Sequence, residues 1–593
     1  MRTSSHIAAV VVLTSLAGVI VGACNQGGGS GWTFLGGDEK NTFNNTKEKT
    51  LTTGNAGRLG PAWTSKDFGT VNGAPAVVNG VAYVLSNTGL YAVDVDTGRP
   101  LWRNAEMTGT SAPTFNKGWL FVHDGKAVLR AIDAKDGRQI WQAKVDPHPK
   151  ANGFSSPLVH ENYVIVGSAS SDEITAVDFS AFRGGVVAYD RTSGAEIWRT
   201  YTVDPPHNGG AVWSSVSIDA ELGIVYATNG NNYTGEASLT SDSIFALRLR
   251  DGAKIWWTQL YAGDVFTVPT LLSPDYDFGT NPIVFDGVVE GRRRKLVGAG
   301  QKSGVFSALD RQTGTVVWSR MLSTEGGMLI GGIFNNGAFD GRNIIVAANR
   351  ASSEAPGSEP ANGESAAQQP NTSVLFALNP GDGSTVWERQ LPAWVWAPIT
   401  IANGIGFVAY ESQMQAFNTS TGAKLFNYAT GGTITSAPVV ADGAVFFGSG
   451  LSYFVGKPDG TLHSLVLDGN NYPTDAGTGD SGSVATFTSV FTQVFVGAGC
   501  SATFCHGTNT GNFTIGTQAD TYAALVGVAA SGPACGTSGL TRVVPGDPDA
   551  SLLYNKLVAR PPACGQEMPP AALLPQAQLD LVRSWIAAGA PNN

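Results

Sequence analysis

An Ala followed ten residues later by an aromatic, with an acidic or polar residue and a Gly between them, recurs seven times along the chain. The copies run from Ala92 to Trp102, Ala131 to Trp141, Ala188 to Trp198, Ala246 to Trp256, Ala308 to Trp318, Ala377 to Trp387 and Ala416 to Phe426. Such a repeat constrains the fold more than local propensity does, because each unit leaves an apolar face that only a neighbouring unit can cover. Within a copy, apolar alternation leads into the Ala, a Gly closes a turn, and a second strand ends on the aromatic. Copies begin 39 to 69 residues apart, which suits four-stranded propeller blades carrying insertions. A weaker eighth unit lies around Leu462 to Leu467, and the N-terminal strand near Trp32 is expected to complete it. The repeat tryptophans are assigned to packing between blades.

Composition agrees with an all-β propeller of eight blades: 75 glycines and 14 tryptophans in a chain that is only 14% charged fit short strands and tight turns. A net charge of −10 argues against a nucleic-acid partner. Two stretches break the pattern and read as unpacked, 351–371 within a blade and 470–485 as a linker. The propeller is therefore expected over 32–469, with a second domain over 486–593.

Five cysteines remain to be distributed. Arg2, an apolar core from Val10 to Ile20 and then Val21-Gly22-Ala23-Cys24 resemble a bacterial lipoprotein signal: 1–23 would be removed, Cys24 lipidated, and 24–31 would form a Gly-rich tether. An uncleaved anchor is the alternative. Both place the protein in a bacterial cell envelope, membrane-associated and facing the periplasm or the outer membrane. The run Cys500-Ser501-Ala502-Thr503-Phe504-Cys505-His506 reads as a haem c attachment site, two thiols for the vinyl groups and His506 as proximal iron ligand. Four residues separate the thiols where two are usual, and a structural disulfide beside a chance His is the alternative. Cys535 and Cys564 are then left as a pair that fits a disulfide in an oxidising compartment.

The Ala-x-Asp-x-x-Thr-Gly-x-x-x-Trp repeat joined to a haem motif resembles the pyrroloquinoline quinone (PQQ) dependent alcohol dehydrogenases, above all the polyvinyl-alcohol-dehydrogenase-like quinohaemoproteins. That resemblance implies a quinoprotein propeller, and it carries residue roles. Trp213, in Gly209-Gly210-Ala211-Val212-Trp213-Ser214, matches the Trp that stacks on the quinone; an indole offers a flat apolar face. Glu173 and Asn231 match the metal-binding Glu and Asn, oxygen ligands suited to a hard cation such as calcium. Ser155 sits where a hydroxyl contacts the cofactor. Asp275-Tyr276-Asp277-Phe278-Gly279 resembles the catalytic stretch, with Asp275 as base and Asp277 as a further metal ligand, as in lanthanide-using members. Lys302, in Gln301-Lys302-Ser303-Gly304, matches the basic residue at the cofactor. The vicinal cysteine pair found beside PQQ in many members is absent, since no propeller residue is Cys, and Arg103 and Arg130 are the only candidates for the usual early Arg.

In the second domain, Phe487 to Phe495 reads as a short apolar helix, and Gln576 to Ala588 places Leu579, Leu581, Val582, Trp585 and Ile586 largely on one face. Met568, in Gly565-Gln566-Glu567-Met568-Pro569-Pro570, resembles the distal ligand of small c-type cytochromes, as the whole of 486–590 resembles cytochrome-like domains appended to exported bacterial proteins. The implied activity is oxidation of an alcohol, secondary or polymeric, at PQQ, with electrons passing through the haem to a downstream acceptor. The alternative is a non-catalytic propeller lipoprotein serving as a binding or assembly scaffold with an electron-carrying haem domain. Seven histidines, none in a recognisable nucleophile arrangement, leave little for a Ser-His-Asp hydrolase.

Overall fold

The computed structural model describes residues 31–175, 182–268, 274–323, 331–350, 372–450, 459–469, 486–496, 513–558, 562–565, 568, 574 and 576–592. Its contacts divide the chain into two compact units, Met1–Asn470 and Asn471–Asn593. Cys24, the 470–485 linker, Cys500, Cys505 and His506 lie outside the described residues.

The first unit is a propeller of eight antiparallel blades. The first blade shows the plan: strands Ala76–Val78, Val81–Leu85, Leu90–Asp94 and Pro100–Asn104 pair in order from inside to outside. Blades are joined through the repeat. Each indole N–H donates to a turn carbonyl of the next blade: Trp102 to Ala134, Trp141 to Arg191, Trp198 to Leu249, Trp256 to Arg311, Trp318 to Pro380 and Trp387 to Thr419, at 2.8–3.2 Å. The repeat Gly makes room for that ring. Gly137 has φ +76°, and a Cβ there would lie 2.7 Å from the Trp102 indole, so the position excludes any side chain on both counts. The repeat tryptophans are thus interblade packing, as expected.

The eighth blade corrects one expectation. Val439–Ala441, Ala444–Ser449 and Thr461–Leu467 are completed by Leu59–Ser65, which pairs with Thr461–Leu467 from Leu59↔Leu467 to Ser65↔Leu462. Trp63, not Trp32, supplies the missing tryptophan: its indole donates to Val95 O of the first blade and lies over Gly98. Joining the two ends of the propeller chain within one sheet closes the ring.

Trp32 begins a different device. Its backbone exchanges hydrogen bonds with Val77 of the first blade, and the chain then runs past the innermost strand of every other blade. Thr33 O accepts from Phe115, Glu39 Oε2 meets His160 Nδ1, Glu39 O accepts from Ile218, Lys40 O from Val284, Thr42 O from Phe339 and Phe43 O from Ile401, while Asn45 Nδ2 donates to Val440 O. Residues 32–45 are therefore a suture across one end of the channel, tying all eight blades. Few of these contacts show in the sequence, because most satisfy single backbone groups; only Asn44–Asn45 forms a strand among the described residues, pairing in parallel with Thr400–Ala402.

The second unit is small and helical. Phe487–Val490 runs on into Phe491–Val496, followed by Gln518–Leu525, Leu552–Val558 and Gln576–Ala587. Thr486 and Thr517 cap the first and second helices by accepting from Ser489 N and Asp520 N. The last helix buries Leu579, Val582, Trp585 and Ile586, with Trp585 5.1 Å from the Phe487 ring. Cys535 and Cys564 form a disulfide.

Candidate active site

Repetition itself gathers the site. Glu173, Asn231 and Lys302 occupy the same place in three successive blades, the connection leaving the second strand: Tyr163–Ser170 in the third, Ile224–Thr228 in the fourth and Arg292–Gly300 in the fifth. Equivalent connections emerge at one end of a propeller, so the three side chains meet. Trp213 and the Asp275–Asp277 stretch come from the links between blades three and four and between blades four and five. Of these, Glu173, Trp213, Asp277 and Lys302 line, with Leu35 of the suture, a cavity of about 270 Å³, whose wall also includes Phe154, Ser170, Asn281, Phe334 and Trp396.

Glu173, Asp275 and Asp277 each offer an oxygen within 4.8 Å of the others. Lys302 Nζ donates to both oxygens of Asp275, at 2.8 and 2.9 Å, and to Asp277 at 3.4 Å. Asp277 also accepts from Asn231 N at 2.8 Å. Asn231 spends its amide hydrogens on Asn232 O and Phe266 O, which turns its buried Oδ1 to where nothing donates to it among the described residues. Gly230 is required beside this group: a Cβ would fall 2.1 Å from Asp277 Oδ1. Gly279 likewise leaves space for Trp213, whose ring edge would lie 2.4 Å from an added Cβ. Lys302 Nζ stands 5.3 Å from the Trp213 ring centroid.

Three carboxylates share one ammonium, and the protonation of Asp275 and Glu173 shows the strain. Burial pushes Asp275 up to about 7, Lys302 pulling it back and Asp277 adding to the rise. Burial, then Asp277, holds Glu173 well above the ordinary carboxylate range. Burial works against the charge on Lys302, yet Asp275, Asp277 and Glu173 together keep it above an ordinary lysine.

The donor set fits a hard cation. Oxygens on opposite sides of a calcium ion stand about 4.8 Å apart, twice a bond of about 2.4 Å, which is the spread of this group. The unused Asn231 Oδ1 adds a neutral oxygen. A flat aromatic cofactor suits the indole wall, where Trp213, Phe334 and Trp396 follow one another at centroid distances of 6.2 and 5.9 Å.

The structure thus brings together Glu173, Asn231, Trp213, Asp275, Asp277 and Lys302, with Asp277 at the cavity wall and Asp275 clamped by Lys302 outside the lining. Ser155 is not brought in. It is fully buried, its hydroxyl accepting from Gly167 N, and the hydroxyl-bearing residues at the wall are Thr110, Ser170, Ser214, Ser215 and Thr435. Neither candidate Arg reaches the cavity: Arg103 donates to Thr88 O and Arg130 pairs with Asp124. Two features escaped the sequence. Asp264, buried, accepts from Tyr276 N at 2.6 Å and so fixes the Asp275–Asp277 loop, but nothing in its surroundings signals that. Trp396 was detectable, being out of register with the repeat, as Trp213 is.

An eight-bladed propeller of this kind has the fold of the quinoprotein alcohol dehydrogenases, here with an indole-walled cavity beside a buried oxygen cluster. The chain belongs to the propeller-repeat family whose model is described as outer membrane protein assembly factor BamB, matched over residues 18–243, 182–374 and 370–480. It is similar to a polyvinylalcohol dehydrogenase of Pseudomonas sp., 29% identical over 455 residues, 68% of each chain. A polyvinylalcohol dehydrogenase of Sphingopyxis sp. is 28% identical over 489 residues, 72% of this chain and 70% of that one. Among solved structures, the quinohemoprotein alcohol dehydrogenase ADHIIG of Pseudomonas putida HK5 shares the fold, with a TM-score of 0.61 at 20% identity over 94% of this chain and 95% of that one.

Proposed function

We propose that this chain is an exported dehydrogenase that oxidises an alcohol at PQQ and sends the electrons to a c-type haem on its own C-terminal unit. The observation that carries the reading is the convergence of Trp213, Lys302, Glu173 and Asp277 on one cavity, with Asn231 tied to Asp277 through its backbone N–H. Trp213 would hold the flat face of PQQ, and Glu173, Asn231 and Asp277 the calcium or lanthanide ion. PQQ held there would supply a hydride acceptor, and the cation Lewis-acid polarisation. Asp275 takes the hydroxyl proton of the alcohol. Lys302, bonded to both its oxygens, keeps that carboxylate oriented and supplies positive charge at the cavity wall. Phe334 and Trp396 exclude water and give the alcohol an apolar wall, in keeping with a secondary or polymeric substrate such as the named relatives oxidise.

In the second unit a cavity of about 460 Å³ suits a porphyrin: Val494, Phe495, Leu525, Leu552 and Leu557 make it apolar, and Met568 lines it. Cys500 and Cys505 would carry the haem, with His506 and Met568 as iron ligands. Lipidation at Cys24 would hold the protein to a bacterial envelope membrane, within reach of a downstream electron acceptor. A scaffold of the kind the family description names has no use for a buried carboxylate cluster around one lysine, and the cluster favours the enzyme.

The test is PQQ binding followed by quenching of tryptophan emission with calcium present. Quenching that saturates in the wild type and weakens in Trp213→Ala and Asn231→Ala is expected. Equal quenching in all three would overturn the assignment.

A further inference from the structure

Met568 and the described residues just before it are tied to one helix. The Met568 backbone N–H donates to Lys556 O at 2.9 Å. Four residues earlier, Cys564 is tied through its disulfide to Cys535, and its carbonyl accepts from Lys556 Nζ at 2.8 Å. Ala563 N donates to the Asn555 side chain at 2.7 Å. Asn555 and Lys556 belong to the helix Leu552–Val558, which packs into the core through Leu552, Tyr554 and Leu557. Gly565 has φ +64°, and a Cβ there would meet Lys556 Nζ at 2.9 Å and Cys535 Sγ at 3.3 Å. Cys535, Lys556, Gly565 and Met568 all line the same cavity. One wall of that cavity is therefore a single built unit that ends on Met568.

Resting on the haem reading above, we propose that the Cys535–Cys564 disulfide and Lys556 are positioning residues that hold the Met568 sulfur at the cavity as an iron ligand, and that they thereby set the haem potential. The argument is one of stiffness. A thioether is a weak ligand that competes with water only when the backbone carrying it is already in place, and methionine ligation raises the potential of a haem. Removing the disulfide leaves three hydrogen bonds to one helix turn to do the same work.

The experiment uses the full chain matured with haem. The sulfur-to-iron charge-transfer band of the ferric haem and the reduction potential are measured in the wild type, Met568→Ala, Cys535→Ala/Cys564→Ala and Lys556→Ala. The expected result is a band in the wild type that Met568→Ala abolishes with a fall in potential. The double cysteine variant should lose the band and move toward the Met568→Ala potential with its haem content unchanged, and Lys556→Ala, which keeps the disulfide, should lose part of it. Wild-type band and potential in both positioning variants would overturn the proposal. A wild type without haem would overturn the haem reading itself, and a band that survives Met568→Ala would overturn Met568 as the ligand; haem content and the Met568→Ala spectrum tell the failures apart. Should the double cysteine variant fail to fold, Lys556→Ala and Gly565→Ala decide the question by the same two readouts.

Discussion

Gly230→Ala would test whether Asp277 is a cation ligand, because the structure leaves no room for a methyl group there. The new Cβ would lie 2.1 Å from Oδ1, 2.6 Å from Cγ and 2.9 Å from Oδ2 of Asp277. A carbon and an oxygen settle at about 3.3 Å, so the carboxylate must move by about 1.2 Å or the backbone must yield. Either response breaks the 2.8 Å bond from Asn231 N. Metal sites tolerate about 0.2 Å, and disturbing the support of a ligand typically costs 10–100-fold in affinity, about 1.4–2.8 kcal/mol. At a calcium concentration of about 100 times the wild-type Kd, the stabilisation from binding would drop from about 2.7 kcal/mol to between about 1.4 and 0.4 kcal/mol. Calcium titration calorimetry and urea unfolding with and without calcium would measure both quantities. Gly54→Ala, where an added Cβ meets only Thr52 Oγ1 at 3.8 Å, is the control and should match the wild type. Calcium binding in Gly230→Ala as tight as in Gly54→Ala would refute the assignment of Asp277.

Two further outcomes follow from buried charge. Lys302→Met leaves Asp275, Asp277 and Glu173 without their ammonium, and breaking a buried pair costs about 3–5 kcal/mol, so urea unfolding in a chelator should show that loss and calcium should restore part of it; an unchanged midpoint in chelator would contradict the charge balance described. His123 and His463 are held down to about 4 by burial, from 6.5, so both stay neutral in the folded chain while the unfolded chain takes up protons; their stability contribution is complete above pH 6.5 and is lost as pH falls toward 4, about 3 kcal/mol for each. Unfolding free energies measured from pH 7 to 4 should fall over that window, and His463→Gln should remove its share of the slope; an equal slope in the variant would refute it.

The repeat made the propeller legible, because Ala, Gly and Trp at fixed spacing are what one blade needs to meet the next. Trp32 misled because a tryptophan near the N-terminus looks like an outer strand, whereas the strand that closes the ring, Leu59–Ser65, carries Trp63 within a Pro-containing segment that alternates poorly. The site residues were legible where a family pattern marked them. Ser155 shared that pattern yet turns its hydroxyl to Gly167 N, a choice made by one neighbouring backbone group and invisible in sequence. The suture and Asp264 act through single hydrogen bonds to distant strands and loops, which leave no periodic trace.

The account stands on electrons moving from an alcohol at the propeller to the haem of the same chain. Visible spectra of the haem-matured chain, reconstituted with PQQ and calcium and mixed anaerobically with a secondary alcohol, address it directly. The account predicts reduction of the c-type haem in the wild type and none in Asp275→Ala; a haem that stays oxidised in the wild type with PQQ and calcium bound would contradict it.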